Sequence, residues 1–420
     1  MNSPSNPDTE QPSNRHDPYA PLRYRNFRWL ILAHGISTVA REAQIVVVSW
    51  QVYEVTKDPL SLGFIGLAEA LPFIGVALYA GHIADRGNRR GIALAGTFGV
   101  ALSAVALLLF TFQPALLQAV WPIYAVIFAS GIARSFTRPS VTALSAEIIP
   151  REIYPSAVAW RSSVWQGASI AGPALGGILY GFSGAALAYA VVVALFIGAL
   201  VALTLVTYES PPVENTAPVR ESLRVGLRFL RHQPLLLSAM TLDLFSVLFG
   251  GATALLPIFA KMLGTGPQGL GLLRAAPAVG SLIIGIYLAH RPPFRRAGAT
   301  LFGAVTVFGL SIIAFALSRN FFLSLAILIV NGMADNVSVL IRGTLLQTMT
   351  PRELLGRVAS VSQIFIGASN EIGAFESGLA ARLMGTVPSV IFGGTMTLVV
   401  VSLVAFWSPP LRRMREIHNA

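Results

Sequence analysis

The stretch GHIADRGNRR, Gly81–Arg90, packs five groups able to carry charge into ten residues, counting His82. Apolar runs flank it on both sides: PFIGVALYA (72–80) before and GIALAGTFGVALSAVALLLF (91–110) after. A helix rises about 1.5 Å per residue, so a run of about 20 apolar residues crosses the hydrocarbon core of a bilayer. Charge concentrated between two such runs reads as a tight turn at a membrane surface.

Composition extends this reading to the whole chain. Of 420 residues, 54% are hydrophobic and only 12% are charged, too few charges to cover a soluble surface of this size. Apolar stretches recur from end to end, and helices are the expected spanning form because lipid cannot satisfy exposed backbone groups. The pattern predicts an all-α membrane protein with twelve spans, near 27–53, 59–81, 91–112, 119–147, 155–180, 183–208, 235–262, 268–290, 298–317, 321–348, 354–384 and 386–407. The organisation that follows is a disordered N-tail (1–26), a six-helix bundle (27–208), a linker (209–234), a second six-helix bundle (235–408) and a C-tail (409–420). In the linker, Leu223, Leu227 and Leu230 share one helical face and Arg224, Arg228 and Arg231 another, which suits a surface helix beside anionic headgroups or a solvated connector. The polar N-tail lacks the apolar core of a cleavable signal peptide. The chain has no cysteine and hence no disulfide framework.

Arginine placement sets orientation. Arg15, Arg23, Arg25 and Arg28 sit at the N-terminus, and Arg86, Arg89, Arg90, Arg151, Arg220, Arg224, Arg291, Arg295, Arg352 and Arg357 follow even-numbered spans. The opposite side carries few cations, among them Lys57, Lys261 and Arg319. By the positive-inside rule both termini are cytoplasmic. The net charge of +11 is this bias and implies no nucleic-acid partner.

An internal repeat is visible at an offset of 201 residues: GIARSFTRPSVTALSAEIIPREI from Gly131 aligns without a gap on GMADNVSVLIRGTLLQTMTPREL from Gly332. Gly172 and Gly177 continue the register onto Gly373 and Gly378, while Gly63, Tyr79 and His82 align with Gly271, Tyr287 and His290. Span 2 thus corresponds to span 8, 4 to 10 and 5 to 11. Parallel repeats of this kind place a substrate site between the halves near the midplane.

With twelve spans, a six-plus-six repeat and Gly81, Asp85, Arg86, Arg89 and Arg90 between spans 2 and 3, the chain resembles the major facilitator superfamily. LDLFSVLFGGATALLPIFAKMLG (242–264), GLGLLRAAPAVGS (269–281), PRELLGRVASVSQ (351–363) and NEIGAFESGLAARL (370–383) are similar to its enterobactin-exporter-like branch, bacterial exporters of siderophores, macrolide-type drugs and related amphiphiles. The resemblance implies a bacterial inner-membrane location, a monomer, and a cytoplasmic gate at Gly81–Arg90 that latches the halves in one state of the cycle. The arginines there could instead serve orientation alone, although Asp85 has no part in that. AGPALGG, with Gly172, Pro173, Gly176 and Gly177, is similar to the superfamily's exporter-associated pattern, its leading glycine replaced by Ala168. Pro173 bends the helix and the glycines allow close packing.

Ionisable groups inside the bilayer cost about 2.5–3.5 kcal/mol each on insertion scales, so each calls for a reason. Arg41, Arg134, Asp243 and Asp335 fall on spans 1, 4, 7 and 10, which line the cavity in the resembled fold. Arg134 and Asp335 occupy equivalent repeat positions, so a pair between them is expected. A buried carboxylate that alternates between an arginine and a proton is a natural proton carrier. The candidates are Asp335 first, then Asp243, Glu42 and Glu69; each would otherwise form a fixed ion pair. Glu371 and Glu376 on span 11 and Arg274 on span 8 are further membrane charges. Candidate substrate contacts are Phe245, Phe249, Phe365, Asn331 and Gln44, with Phe64, Phe73 and Phe259 as further aromatics.

No His/Cys/carboxylate group has metal-ligand spacing and no Gly-rich Lys-Ser/Thr loop is present, so neither a metal, a cofactor nor a nucleotide is expected. The leading expectation is a secondary exporter of amphiphilic small molecules, driven by protons. A lysophospholipid flippase or an importer on the same fold, and a non-transporting receptor or scaffold, are alternatives. An enzyme is disfavoured because no nucleophile-plus-base motif stands out.

Overall fold

The computed structural model describes residues 17–113, 119–208, 219–292, 294–351 and 353–415; the side chains of residues 73, 77–78, 81–82, 84–86 and 219–223 lie outside that description. Among the described residues all regular structure is helical. In chain order the helices are α1 (Arg25–Thr56), α2 (Pro59–Arg86), α3 (Arg89–Phe110), α4 (Trp121–Glu147), α5 (Tyr154–Thr204), α6 (Val219–His232), α7 (Pro234–Phe249), α8 (Leu256–Met262), α9 (Gly266–Ala289), α10 (Ala297–Leu317), α11 (Phe321–Met349), α12 (Leu355–Met384), α13 (Thr386–Trp407) and α14 (Pro409–Arg413). Nine helical segments of the described residues are long and apolar enough to cross a membrane.

The opening motif folds differently from its expected form. Helix α2 does not stop at residue 81 but carries the sequence through to Arg86, and the turn shrinks to Gly87 and Asn88. The Asn88 side chain then caps α3, accepting from the Gly91 N–H at 3.0 Å, which satisfies one of the orphan donors of a helix start. Asp58 does the same for α2 and Asn320 for α11. Span boundaries depart from expectation at two further places. Helix α5 runs through the expected gap at 181–182, and its break lies at Gly184, where φ 75° and ψ −176° require a residue without a Cβ. The stretch expected as one span near 235–262 is interrupted at Gly250–Gly251, with a 3-10 turn at Ala252–Leu255 before α8.

Packing divides the helices into two sets. α1, α2, α3, α4 and α5 pack among themselves, as do α7 and α9 to α13, and the sets meet principally along α2 with α12 and along α5 with α9. The connections near Lys57, Gly184, Gly264, Arg319 and Gly385 share one end, here the distal end; both tails lie at the other. There Trp160 donates to the Pro18 carbonyl at 2.9 Å, and the Ala297 N–H donates to the Arg415 carbonyl at 2.9 Å.

The halves touch most intimately toward the distal end. A core of buried side chains there mixes Val46, Trp50 and Leu62 from the first half with Leu255, Phe259, Leu273 and Phe315 from the second. Two glycine contacts mark the seam. A Cβ added at Gly378 would lie 2.7 Å from the Cα of Gly63, and one at Gly271 would lie 2.5 Å from the Pro173 carbonyl and 3.1 Å from the Gly177 Cα. Gly63 aligns with Gly271, and Gly177 with Gly378, so the repeat read from the sequence reappears as two equivalent contacts across a pseudo-twofold. The linker helix α6 packs on α12, with Gly226 against the Arg357 carbonyl.

Candidate central transport site

Six ionisable side chains gather between the halves. Arg41 Nη1 and Glu42 Oε1 lie 3.3 Å apart on α1, and Glu42 Oε2 lies 4.0 Å from Arg274 Nε on α9. On the other side of the gap, Arg134 of α4 sits between two carboxylates. Its Nη1 is 3.2 Å from Glu69 Oε1 on α2, and its Nη2 is 3.8 Å from Glu371 Oε1 on α12. One guanidinium thus holds Glu69 and Glu371, from opposite halves, about the same point. Arg41 joins the two clusters through its field at Glu69 and Glu371.

Helix geometry explains the shared depth. Glu69 is ten residues from the distal start of α2, Arg134 thirteen from that of α4 and Glu371 thirteen from the distal end of α12. At about 1.5 Å per residue these place the charges about 15–20 Å from the distal end, near the middle of a bilayer about 30 Å thick. Each of these side chains keeps between 15% and 35% of its surface accessible, so the cluster lines a gap rather than a sealed core. Exposed arms of that gap hold two more polar ties between halves: Gln166 Nε2 donates to the Ala278 carbonyl at 2.6 Å and Arg138 Nη2 donates to Gln363 Oε1 at 3.2 Å.

The remaining candidates fall elsewhere. Asp243 of α7 pairs with Arg342 of α11 inside the second half, both side chains nearly buried. Asp335, half-buried about two turns before Arg342 on α11, has no cation within ion-pair distance among the described residues; Arg342 is the positive charge whose field reaches it. The expected Arg134–Asp335 pair does not form, because Arg134 is taken by Glu69 and Glu371.

Asn331 turns toward α10, donating to Ser311 Oγ at 2.8 Å, and so serves packing within the second half. Gln44 is buried, with Oε1 lacking a hydrogen-bond partner. Phe245 and Phe365 stay partly exposed, and Phe245 stacks on Phe249 with ring centroids 6.5 Å apart. Phe64 bridges the halves, its ring 5.7 Å from that of Phe375, whereas Phe259 is buried against Phe315 in the core. Of the Gly81–Arg90 motif, the side chains of Gly81, Asp85 and Arg86 lie outside the described residues, as does that of Phe73. Arg89 pairs with Glu147 at the end of α4, and Arg90 donates to the Thr204 carbonyl at 2.7 Å. Both arginines therefore tie α3 to neighbours in its own half. In α5, Gly172 and Gly176 let α1 approach, since a Cβ there would lie 2.6 Å from Glu42 Cβ or the Ala43 carbonyl. Pro173 and Gly177 face α9 instead, so one face of the motif packs within a half and the other between halves. Glu371, Arg274 and Glu147 are partners that sequence reasoning did not select; only their cost in a membrane flagged the first two.

Helices in two packed sets, a symmetric glycine seam and a charged gap at mid-depth define a membrane transporter rather than an enzyme. The chain belongs to the major facilitator superfamily, in the family described as transmembrane secretion effector, whose profile matches residues 16–419. It is 29% identical over 400 residues to an enterobactin exporter of Escherichia coli (strain SMS-3-5), covering 93% of each chain. It is 29% identical over 402 residues to an enterobactin exporter of Citrobacter koseri, again covering 93% of each. Among solved structures, a transporter of the POT family in complex with 5-aminolevulinic acid superposes with a TM-score of 0.72 at 10% identity, over 92% of this chain and 96% of that one. A bacterial homologue of the human lysosomal transporter Spinster, inward-facing and unoccupied, gives 0.69 at 14% identity over 93% and 96%. These two share the fold.

Proposed function

We propose that this protein is a proton-driven exporter of amphiphilic small molecules, siderophore-like in class, working by alternating access in a bacterial inner membrane with both termini cytoplasmic. Twelve spans in two six-helix bundles belong to this reading, and the nine apolar segments support it. The break at Gly184 divides α5 into two, and α4 and α12, 27 and 30 residues long, are of spanning length but made more polar by the charges that line the gap. The 26 residues of the 209–234 linker join the bundles.

The observation that carries the proposal is Arg134 held between Glu69 and Glu371 from opposite halves. With both carboxylates ionised, two negative charges share one guanidinium. A proton entering this site lets one carboxyl donate to the other and holds α2 against α12; its departure returns the repulsion and favours separation. That ties proton occupancy to the contact between halves, which is the coupling a secondary exporter requires. Asp335, with no ion-pair partner among the described residues, is the second proton carrier in this reading, and Asp243 belongs to the frame of the second half. The Arg41 and Arg274 side chains, partly accessible in the gap, are suited to the polar part of a substrate, with Phe245 and Phe365 offering apolar surface. The curated relatives are exporters of enterobactin, which supports a siderophore-like cargo. No resident metal, nucleotide or nucleic acid enters the scheme, and the protein works as a monomer.

The test is accumulation in respiring inside-out vesicles, offered siderophores, macrolides and lysophospholipids and read by mass spectrometry. Uncoupler-sensitive accumulation of one class, lost in Glu69→Gln and in Glu371→Gln, is expected. Accumulation that ignores the uncoupler, or survives both substitutions, overturns the coupling scheme.

A further inference from the structure

At the distal end of the seam, two ammonium groups from opposite halves crowd one ring. Lys57 Nζ lies 5.7 Å and Lys261 Nζ 5.9 Å from the centroid of Tyr53. Lys57 follows the last turn of α1 and Lys261 belongs to α8, so they meet only because the halves are closed here. Among the described residues neither lysine has a carboxylate within 4 Å. Glu54, three residues before Lys57, is engaged through Oε2 by the Tyr180 hydroxyl at 2.8 Å. Desolvation and the adjoining Lys261 ammonium lower the pKa of Lys57, against the opposing effect of the Glu54 carboxylate.

A cavity of about 200 Å³ opens beside them, lined also by Trp50, Glu54 and Gly264. Liquid water occupies about 30 Å³ per molecule, so this space admits a small polyatomic ion. The two ammoniums beside it call for an acceptor or a negative charge. Lys57 also occupies a left-handed C-cap, φ 52°, among the described residues the one non-glycine position with positive φ. Glycine or asparagine is the commoner choice there, and a lysine at this point puts its charge at the seam.

We propose that Lys57 and Lys261, closed over Tyr53, bind a small oxyanion of the phosphate class that fastens the two halves together at the distal end. The donor set is complete only when the halves are closed there, so the anion stabilises that state and shifts the population toward it. The anion could be free in the distal compartment or the phosphate of a lipid headgroup; both present the same oxygens. Binding rests on the closed geometry alone. Only its consequence for turnover rests on the proposed exporter function.

The absence of native cysteine makes the test direct. Cysteines introduced as Gln113→Cys and Arg319→Cys, both exposed on distal connections of opposite halves, carry a spectroscopic label pair. The purified full chain in maltoside micelles, which hold no phosphate, is titrated with sodium phosphate against sodium chloride of matched ionic strength. The ratio of distally closed to open molecules is expected to rise at least about fivefold, within the range of ordinary binding couplings. The rise should vanish in Lys57→Gln and Lys261→Gln and survive in Lys261→Arg. Micelles doped with phosphatidylglycerol in phosphate-free buffer test the headgroup. A response there, lost in the same variants, assigns the lipid as a source; a response to phosphate alone assigns the free ion. Calorimetric phosphate binding lost in both glutamine variants keeps the site even where transport assays fail. An equal effect of chloride, or a phosphate effect unchanged in both variants, overturns the proposal.

Discussion

Gly378→Ala probes whether the glycine seam sets the balance between the two ends of the molecule. The added Cβ would stand 2.7 Å from the Gly63 Cα and 2.9 Å from the Pro59 carbonyl, both backbone atoms that no rotamer change can clear. Carbon pairs settle at about 3.5–4.0 Å, so α2 and α12 must part by about 1 Å along the contact. Forcing a methyl into packing of this density costs about 1–3 kcal/mol. The cost falls on the distally closed state, since these helices touch there. At about 1.4 kcal/mol per tenfold change, the ratio of closed to open molecules should fall about 5- to 150-fold. Gly271→Ala, its mate under the repeat, meets the Pro173 carbonyl at 2.5 Å and should act in the same direction. The label pair at positions 113 and 319 reads the distribution. Gly198→Ala and Gly303→Ala, where an added Cβ meets nothing within 4 Å, should leave it unchanged. A closed population unaltered in both seam variants would refute the reasoning, as would an equal shift in the two controls.

Three further outcomes follow from the packing. Asp243→Asn strands Arg342 in a nearly buried site and should cost about 3–5 kcal/mol, seen as a lower unfolding temperature; the double change Asp243→Leu with Arg342→Met should recover most of it. Tyr189→Phe removes the 2.6 Å hydrogen bond to Gln51 Oε1 in a buried site and should cost about 1–3 kcal/mol by leaving that acceptor unpaired; adding Gln51→Leu should return stability toward the parent, read by the same melting curve. Gly176→Ala drives a Cβ to 2.6 Å from the Ala43 carbonyl and should reduce the monodisperse yield on size exclusion, with about 1–3 kcal/mol lost from the α1–α5 contact.

The sequence made the frame readable because two periodic signals survive without tertiary information. Apolar run lengths gave the helices, and the aligned glycines gave the symmetry that now appears at Gly63–Gly378 and Gly177–Gly271. Breaks were harder. Gly184 lies inside an apolar run, and Gly250–Gly251 looks like the small-residue packing common in membrane helices; only their backbone angles and neighbours show where the chain turns. Ion pairs were the least readable. Arg134 and Asp335 are equivalent by repeat, yet symmetry of position does not set which face of a helix meets which neighbour. The partner Arg134 takes across the seam, Glu371, lies 237 residues away, and the Glu69–Glu371 approach joins positions 302 residues apart. Such pairs depend on the rotation of each helix about its own axis, which the spacing within one helix does not fix.

Charge balance at mid-depth adds a constraint on the proposed cycle. Arg41, Arg134 and Arg274 face Glu42, Glu69 and Glu371, so this cluster is neutral with every group ionised. One proton bound at Glu69 and Glu371 leaves it with one net positive charge in a medium where an uncompensated charge is costly. That excess can be relieved by water entering an opened gap, or by an anionic substrate arriving at Arg41 and Arg274, whose side chains are partly accessible there. Proton and anion would then stabilise one another in a shared state, and a cation would be disfavoured there. Replacing Arg274 with Gln returns the protonated cluster to neutrality and removes one of the two arginines available to the anion. Vesicles carrying Arg274→Gln should therefore lose accumulation of anionic cargo while retaining more of their uptake of neutral amphiphiles. Equal loss for both would show that the arginine serves the frame of the gap and not the charge of what passes through it.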